Sequence, residues 1–323
     1  MGIPHLNKFF QSNCKNCIST IHLNSLNGKV IVVDISIYLY KFNLSGSIID
    51  GLYQFITCLK EKNITPLFVF DGKAPKIKDA TIQRRRKERR LAKEKCLKLE
   101  QELETASKFE KPIIFEELKA MRKRATGLPS NAYEIAKECI NMAGLTYYQA
   151  YAEADALCVK LVQTNVAWAC LSEDMDMFVY GCPRVLRNLH LFQNKVNFYD
   201  FTKILNSIHM NLDTFKIICA VSGTDYTPSN INIGIVKAYQ IYESLNNADN
   251  FLEKLNLKSY DNDKYKEKLK EISTMFDISN KNIEQLGEKI LSNNQKYSAS
   301  YIMYLEDNNF IFTNTIKNNY KRI

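Results

Sequence analysis

Three short runs along the chain are apolar almost without interruption: Lys29 to Asp34 (KVIVVD), Thr65 to Asp71 (TPLFVFD) and Val166 to Ser172 (VAWACLS). A strand needs unbroken apolar character, rather than alternation, when both faces of its sheet are covered, so these read as buried strands of a parallel sheet. Between them the period changes. From Asn131 to Ala143, the residues Ile135, Ala136, Cys139, Ile140 and Ala143 recur at helical spacing, with Pro129 and Ser130 as start signal and Gly144 as stop. Strands alternating with helices predict an α/β fold with a mostly parallel central sheet flanked by helices. Arg90 to Gly127 is highly charged with few large apolar residues at core spacing, which predicts an exposed helical excursion. After about Leu245 the chain is rich in Asn, Lys, Tyr and Glu, and a mostly helical extension is expected over 246–323.

Composition narrows the class. At 323 residues, 46% hydrophobic and 24% charged, the chain has the balance of a soluble globular protein with room for a sizeable core. No run of about 18 apolar residues exists to span a membrane, and the start lacks the basic-then-apolar pattern of a secretory signal. Leu6 stands where a myristoylation site needs Ser or Thr. An intracellular protein is expected. The nine cysteines are scattered, and Cys14 and Cys17 form a lone CxxC with no second pair, so they read as reduced thiols and not as a zinc site. The net charge of +9 permits a polyanionic partner. Its distribution says more: Lys73 to Arg90 carries nine basic residues against only Asp79 and Glu88.

The acidic residues carry the chemistry. Asp34 and Asp71 end the first two strands, and the third runs into Ser172-Glu173-Asp174-Met175-Asp176. Ligand sites in open α/β sheets form beyond the carboxyl ends of strands, so these charges should converge. Glu153 and Asp155 open a helical pattern, and Asp225 sits in the turn-forming Ser222-Gly223-Thr224-Asp225-Tyr226. Any one of them could be a cap or a turn aspartate. Together, clustered carboxylates repel one another and demand a cation, and oxygen-only ligands favour Mg²⁺ or Mn²⁺ over zinc. Beside a strong basic run, that is the equipment of metal-assisted phosphodiester hydrolysis. The four histidines show no catalytic spacing.

Six segments stand in the order and spacing of the flap endonuclease family: MGIPHLNKFF, VVDISIYLY, FVFDGKAP, AEADA, EDMDMFVYG and SGTDY. Over roughly Met1 to Leu245 the chain resembles that branch of the XPG superfamily. The resemblance implies a PIN-like nuclease core over 1–245, with a helical arch and cap at about 76–128 and a helix–two-turn–helix at about 213–245. It implies that Asp71, Glu153 and Asp155 hold one Mg²⁺, that Asp174, Asp176 and Asp225 hold a second, and that Asp34 acts through intervening water; Mn²⁺ can substitute. Glu173 does not match a ligand position. Lys78 and Arg85 fall where the family places its catalytic Lys and Arg at the base of the arch. Seven apart, they share a face on a continuous helix. Arg84 beside them would draw in the DNA backbone, and Tyr40 matches a tyrosine that stacks on a base beside the cut. The stretch Ser229 to Ala238 resembles the element that grips duplex DNA around a K⁺ ion, with Ser229, Gly234 and Lys237 in place. Asn232 and Val236 depart from the pattern, replacing a glycine and a basic residue.

The implied partner is branched or flapped DNA, met by a monomer with no membrane and no recognisable sliding-clamp motif, in the nucleus or wherever DNA is replicated. The bias towards Asn, Ile and Lys would fit an AT-rich genome such as that of a large DNA virus. A 5′-to-3′ double-strand exonuclease of the same superfamily is the nearest alternative. A catalytically dead nucleic-acid scaffold would have lost carboxylates, and none of the seven is missing. A small PIN-type ribonuclease would lack the arch.

Overall fold

The structure, a computed structural model, describes residues 2–226, 233–245, 251 and 262–291. In the first half, α1 (Leu6–Asn13), β1 (Ile18–His22), β2 (Val30–Asp34), α2 (Ile35–Leu44), α3 (Ile48–Glu61), β3 (Thr65–Phe70), α4 (Asp79–Thr105), α5 (Lys111–Ala125) and α6 (Ala132–Met142) follow in order. Then come β4 (Tyr147–Ala150), α7 (Ala154–Gln163), β5 (Ala169–Leu171), α8 (Asp176–Val179), β6 (Arg184–His190), β7 (Lys195–Asp200), α9 (Phe201–Ser207) and α10 (Leu212–Ser222). The last described elements are α11 (Ile235–Ser244), α12 (Asn262–Met275), α13 (Ile283–Leu286) and β8 (Gly287–Ile290). The described residues divide into two compact units: those within 1–35, 59–87 and 149–288 contribute to one, and those within 36–58, 88–148 and 289–291 to the other.

The first unit is built on the sheet, whose strands run in the order β1-β7-β6-β5-β2-β3-β4-β8. Its centre is parallel, β2 pairing with both β3 and β5, and β5 with β6, whereas β6–β7 and β7–β1 are antiparallel. The α/β expectation holds, with an antiparallel flank added. Four of the five residues of β2 are buried, as are five of the six in β3, as their apolar runs require. The Val166 to Ser172 run shortens to Ala169–Leu171, because Asn165 turns the chain with a φ of 58° and Val166 lies 40% exposed in that turn. Of the described residues after 245 most are helical, in α12 and α13, with β8 following, and Phe276 and Ile278 are buried in the first unit.

In the second unit the charged excursion is helical, forming α4 and α5, and has a small core of its own. Ala92, Cys96, Leu99 and Leu103 recur at spacings of four, three and four along α4 and meet Ile114, Leu118, Met121 and Ala125 of α5. Such a seam is one residue wide, the narrow pattern of two helices packed side by side, so the surrounding charge masks it. Lys95–Glu117 (2.5 Å) and Arg122–Glu100 (2.7 Å) cross-link the pair. Being solvent-exposed, each bridge adds at most about 1 kcal/mol. Elsewhere in this unit Tyr38, Phe42 and Phe55 pack ring to ring, and Gly51 admits the Phe42 ring where a Cβ would strike it.

Candidate active site

Parallel pairing puts Asp34 at the carboxyl end of β2, opposite Val69 of β3, with Val33 opposite Leu171 of β5. The three acidic strand ends therefore emerge side by side. Ser172, the first residue beyond β5, donates its hydroxyl to Asp34 Oδ2 (2.9 Å) and accepts the Asp174 backbone N–H (3.0 Å). Asp174 Oδ1 then accepts the Asp176 N–H (3.0 Å), which sets the two aspartates at the start of α8. Asp71 Oδ1 accepts the Ala154 N–H (2.8 Å) and so ties the end of β3 to the first turn of α7, where Glu153 is the N-terminal flanking residue. Asp225 lies in the turn after α10.

Mutual electrostatics link six of the seven carboxylates: Asp34, Glu153, Asp155, Asp174, Asp176 and Asp225. Burial pushes the carboxyl of Asp155 well above the usual range, and Asp174, Asp34 and Asp176 push it further against the pull of Lys78. Burial does the same to Asp176, reinforced by Asp174, Asp225 and Glu153. Two cations reach into this cluster. Lys78 Nζ, 7% exposed, pairs with Glu153 Oε1 at 2.7 Å, and Arg85 with Asp225 Oδ2 at 2.6 Å. Burial alone would draw protons off the Lys78 ammonium, but Glu153, Asp155 and Asp176 outweigh it and hold the group charged. The two cations are not on one continuous helix as expected. Lys78 closes a 3₁₀ turn (Lys76–Lys78), and α4 begins at Asp79, so only Arg85 projects from the helix. Thr81 Oγ1 donates to the Asp225 carbonyl (3.0 Å) and anchors the first turn of α4.

Among the described residues no three His, Cys, Asp or Glu side chains stand as a finished chelate. Protein donors hold them instead: Lys78, Arg85, Ser172 and backbone N–H groups. The residues nevertheless fit a hard divalent cation. Asp176 Oδ1 is buried with no hydrogen-bond partner, which is costly unless something positive meets it. Every donor in the cluster is a carboxylate oxygen, the choice of magnesium-like ions. Gly2 closes one side: a Cβ there would sit 2.5 Å from Asp174 Oδ1 and 2.4 Å from Asp176 Oδ1, so only glycine permits the approach.

Other expected residues fall elsewhere. Glu173 Oε1 accepts the Asn188 N–H (3.0 Å). Tyr40, in the second unit, is half-buried with its hydroxyl 3.4 Å from Arg89 Nη1. Arg84 is exposed on α4. Gly234 precedes α11 with open space around it, and Lys237 is exposed on that helix. Ser229 and Asn232 lie outside the described residues. All nine cysteines are free, and burial raises Cys14 to about 11, as expected of structural thiols. Among the described residues no helix is long and apolar enough to cross a membrane. Sequence reasoning missed Ser172, although a serine two residues before an aspartate at a strand end is a recognisable turn signal. It also missed Tyr180 and Tyr226, whose hydroxyls join Glu153 (Tyr180–Tyr226 3.2 Å, Tyr226–Glu153 2.8 Å).

Known proteins share both the sequence pattern and the fold of this chain. The XPG N-terminal domain profile matches residues 1–92 and the XPG I-region profile residues 144–225, which between them hold every one of the seven carboxylates. Flap endonuclease 1 of Leishmania braziliensis is 28% identical over 277 residues, covering 79% of this chain and 68% of its own. The solved flap endonuclease-1 from Methanococcus jannaschii aligns with a TM-score of 0.62 and 25% identity, over 93% of each chain. The catalytic core of Rad2 in complex with DNA substrate shares the fold at 20% identity, with a TM-score of 0.67 over 95% of each chain.

Proposed function

The chain belongs to the XPG family of structure-specific 5′ nucleases, and on that premise we propose that it cuts DNA at 5′ flaps and gaps with two Mg²⁺ ions. The observation that carries the reading is the pairing of both arch-base cations with cluster carboxylates, Lys78 with Glu153 and Arg85 with Asp225. A scissile phosphate drawn to these cations is delivered to the carboxylates in the same movement. Asp71, Glu153 and Asp155 would hold one ion and Asp174, Asp176 and Asp225 the other, with Asp34 acting through water. Bound there, the ions supply positive charge against the phosphate and lower the pKa of the attacking water. Lys78 and Arg85 offer preorganised donors to the charge that develops on the phosphate oxygens, and burial of Lys78 strengthens its share. Ser172 holds Asp34 and the Asp174 backbone in register, so the β2 and β5 ends act together.

Exposed Lys73, Lys76, Arg84, Arg86, Lys87, Arg90 and Lys237 suit a phosphate backbone, with Tyr40 stacking on a base and Ser229, Gly234 and Lys237 gripping the duplex around a K⁺ ion. A monomer acting where DNA is replicated or repaired fits these features. The test is purified protein with Mg²⁺ on matched flap, nicked, blunt and junction substrates, with products read at nucleotide resolution. Preferential cutting at the flap base, abolished in Asp174→Asn and Asp71→Asn with DNA binding kept, supports the reading. Near-normal turnover by either variant overturns the ligand assignment, and stepwise shortening from blunt ends overturns the flap preference.

A further inference from the structure

Glu153 is held by more than Lys78. Its Oε1 takes the Lys78 ammonium at 2.7 Å, and its Oε2 accepts the Tyr226 hydroxyl at 2.8 Å. A tyrosine hydroxyl has one hydrogen to give, so the Tyr180 hydroxyl, 3.2 Å away, must be the donor to Tyr226. The result is a one-directional relay, Tyr180 to Tyr226 to Glu153. The Lys78 ammonium also sits 4.5 Å from the centre of the Tyr226 ring, so one ring orients the carboxylate with its edge and its cation partner with its face. Both phenols are backed by Phe276, the residue just beyond α12, whose ring stands edge-on to Tyr180 at 5.0 Å and Tyr226 at 5.2 Å. Tyr226 is buried, and its backbone N–H is fixed on Thr224 Oγ1 at 3.1 Å.

We propose that Tyr226 is a positioning residue for the metal-dependent reaction. Its hydroxyl, aligned by Tyr180 and seated on Phe276, fixes the rotamer of Glu153 so that one lone pair on each oxygen stays directed at the metal. A carboxylate offers about four lone-pair sites, and the two protein donors use two of them. Without the Tyr226 donor, Glu153 is free to rotate about Lys78 alone, and the cation that should serve the phosphate would then capture both oxygens. Phe276, far along the chain from the acidic motifs, becomes part of the active-site support through this stack.

The inference rests on the reading of Glu153 as a metal ligand, and the experiment separates the two. Mn²⁺ binding to the full-length, DNA-free protein is measured by electron paramagnetic resonance for wild type, Tyr226→Phe, Tyr180→Phe and Glu153→Gln. Tyr226→Phe keeps the ring, its packing on Phe276 and its contact with Lys78, and removes only the donor. Its Mn²⁺ dissociation constant should rise tenfold or more, within the range of about 10–100-fold found for partners that orient a ligand. Tyr180→Phe should shift it in the same direction by less, which also keeps the test alive if Tyr226→Phe fails to fold. If Glu153→Gln weakens binding while Tyr226→Phe binds like wild type, the positioning role is overturned and the ligand role stands. If Glu153→Gln itself binds like wild type, the ligand role fails and the positioning role falls with it.

Discussion

Gly2 stands at a point where one methyl group should disable the enzyme without unfolding it. Its φ of +77° lies in the left-handed region, and a Cβ built there meets Asp176 Oδ1 at 2.4 Å and Asp174 Oδ1 at 2.5 Å. Real Cβ contacts essentially never fall below 3.0 Å, so Gly2→Ala must displace those oxygens, or the chain start, by at least about 0.6 Å. The chain start has little freedom to yield. Ile3 and Leu6 are buried, and Phe10 of α1 packs edge-on against Phe178 of α8 at 5.1 Å, the helix that begins with Asp176. Moving Asp174 Oδ1 also stretches its 3.0 Å bond to the Asp176 N–H. The left-handed backbone costs alanine about 1–2 kcal/mol. In a domain of this size that lowers the melting temperature by roughly 2–8 °C. The catalytic penalty should be larger in proportion, because a misplacement approaching 1 Å can cost on the order of 10²-fold in rate. The assay is single-turnover cleavage of a 5′-flap substrate at saturating protein, beside a thermal melt of the same preparation. A rate 10–100-fold below wild type with a small melting shift is expected. A Gly2→Ala protein that cuts at the wild-type rate would refute the reasoning, since the carboxylates would then tolerate displacement or not be the reacting site. Extra residues left before Met1 by a tag should depress cleavage in the same way, while a C-terminal tag should not.

Lys78→Ala and Arg85→Ala should each lower the single-turnover rate by about 10²–10³, the scale for losing one preorganised donor, with much smaller changes in DNA affinity; an effect confined to the dissociation constant would make them phosphate clamps. If α4 and α5 form the arch that the resemblance implies and a free 5′ end must pass through it, streptavidin bound to a 5′-biotin flap before the enzyme should slow cleavage strongly, whereas streptavidin added afterwards should trap a competent complex. Indifference to the order of addition would dismiss threading for this protein.

Much of the site could be read from the chain because its geometry is local to strand ends. Asp34 and Asp71 follow unbroken apolar runs, and the parallel register of β2 with β3 and β5 brings the three acidic strand ends out side by side, Asp34 being joined to Asp174 through Ser172. The flank of the sheet was harder to read. In β6 (RVLRNLH) and β7 (KVNFYD) apolar and polar residues mix because these strands lie towards one edge, and a half-covered strand gives a weaker signal than a buried one. The α4–α5 seam was hidden for a related reason. A helical pair needs only one apolar residue per turn on each side, and Ala92 and Cys96 are too small to announce a core among so many charges.

The hydroxyl relay was invisible for a different reason. Tyr226 is adjacent to Asp225 in sequence, yet it acts on Glu153, 73 positions away, and nothing in its own neighbourhood distinguishes it from an ordinary core tyrosine. Local pattern can reveal a carboxylate that costs energy wherever it is buried, since that cost demands an explanation at the residue itself. A neutral donor is cheap to bury once it has a partner, so its role becomes legible only when the partner is in view. The uncharged residues placed around these carboxylates, Ser172, Tyr180, Tyr226 and Gly2, are each defined by an atom met across the fold: Asp34 for Ser172, Tyr226 for Tyr180, Glu153 for Tyr226, and Asp174 and Asp176 for Gly2.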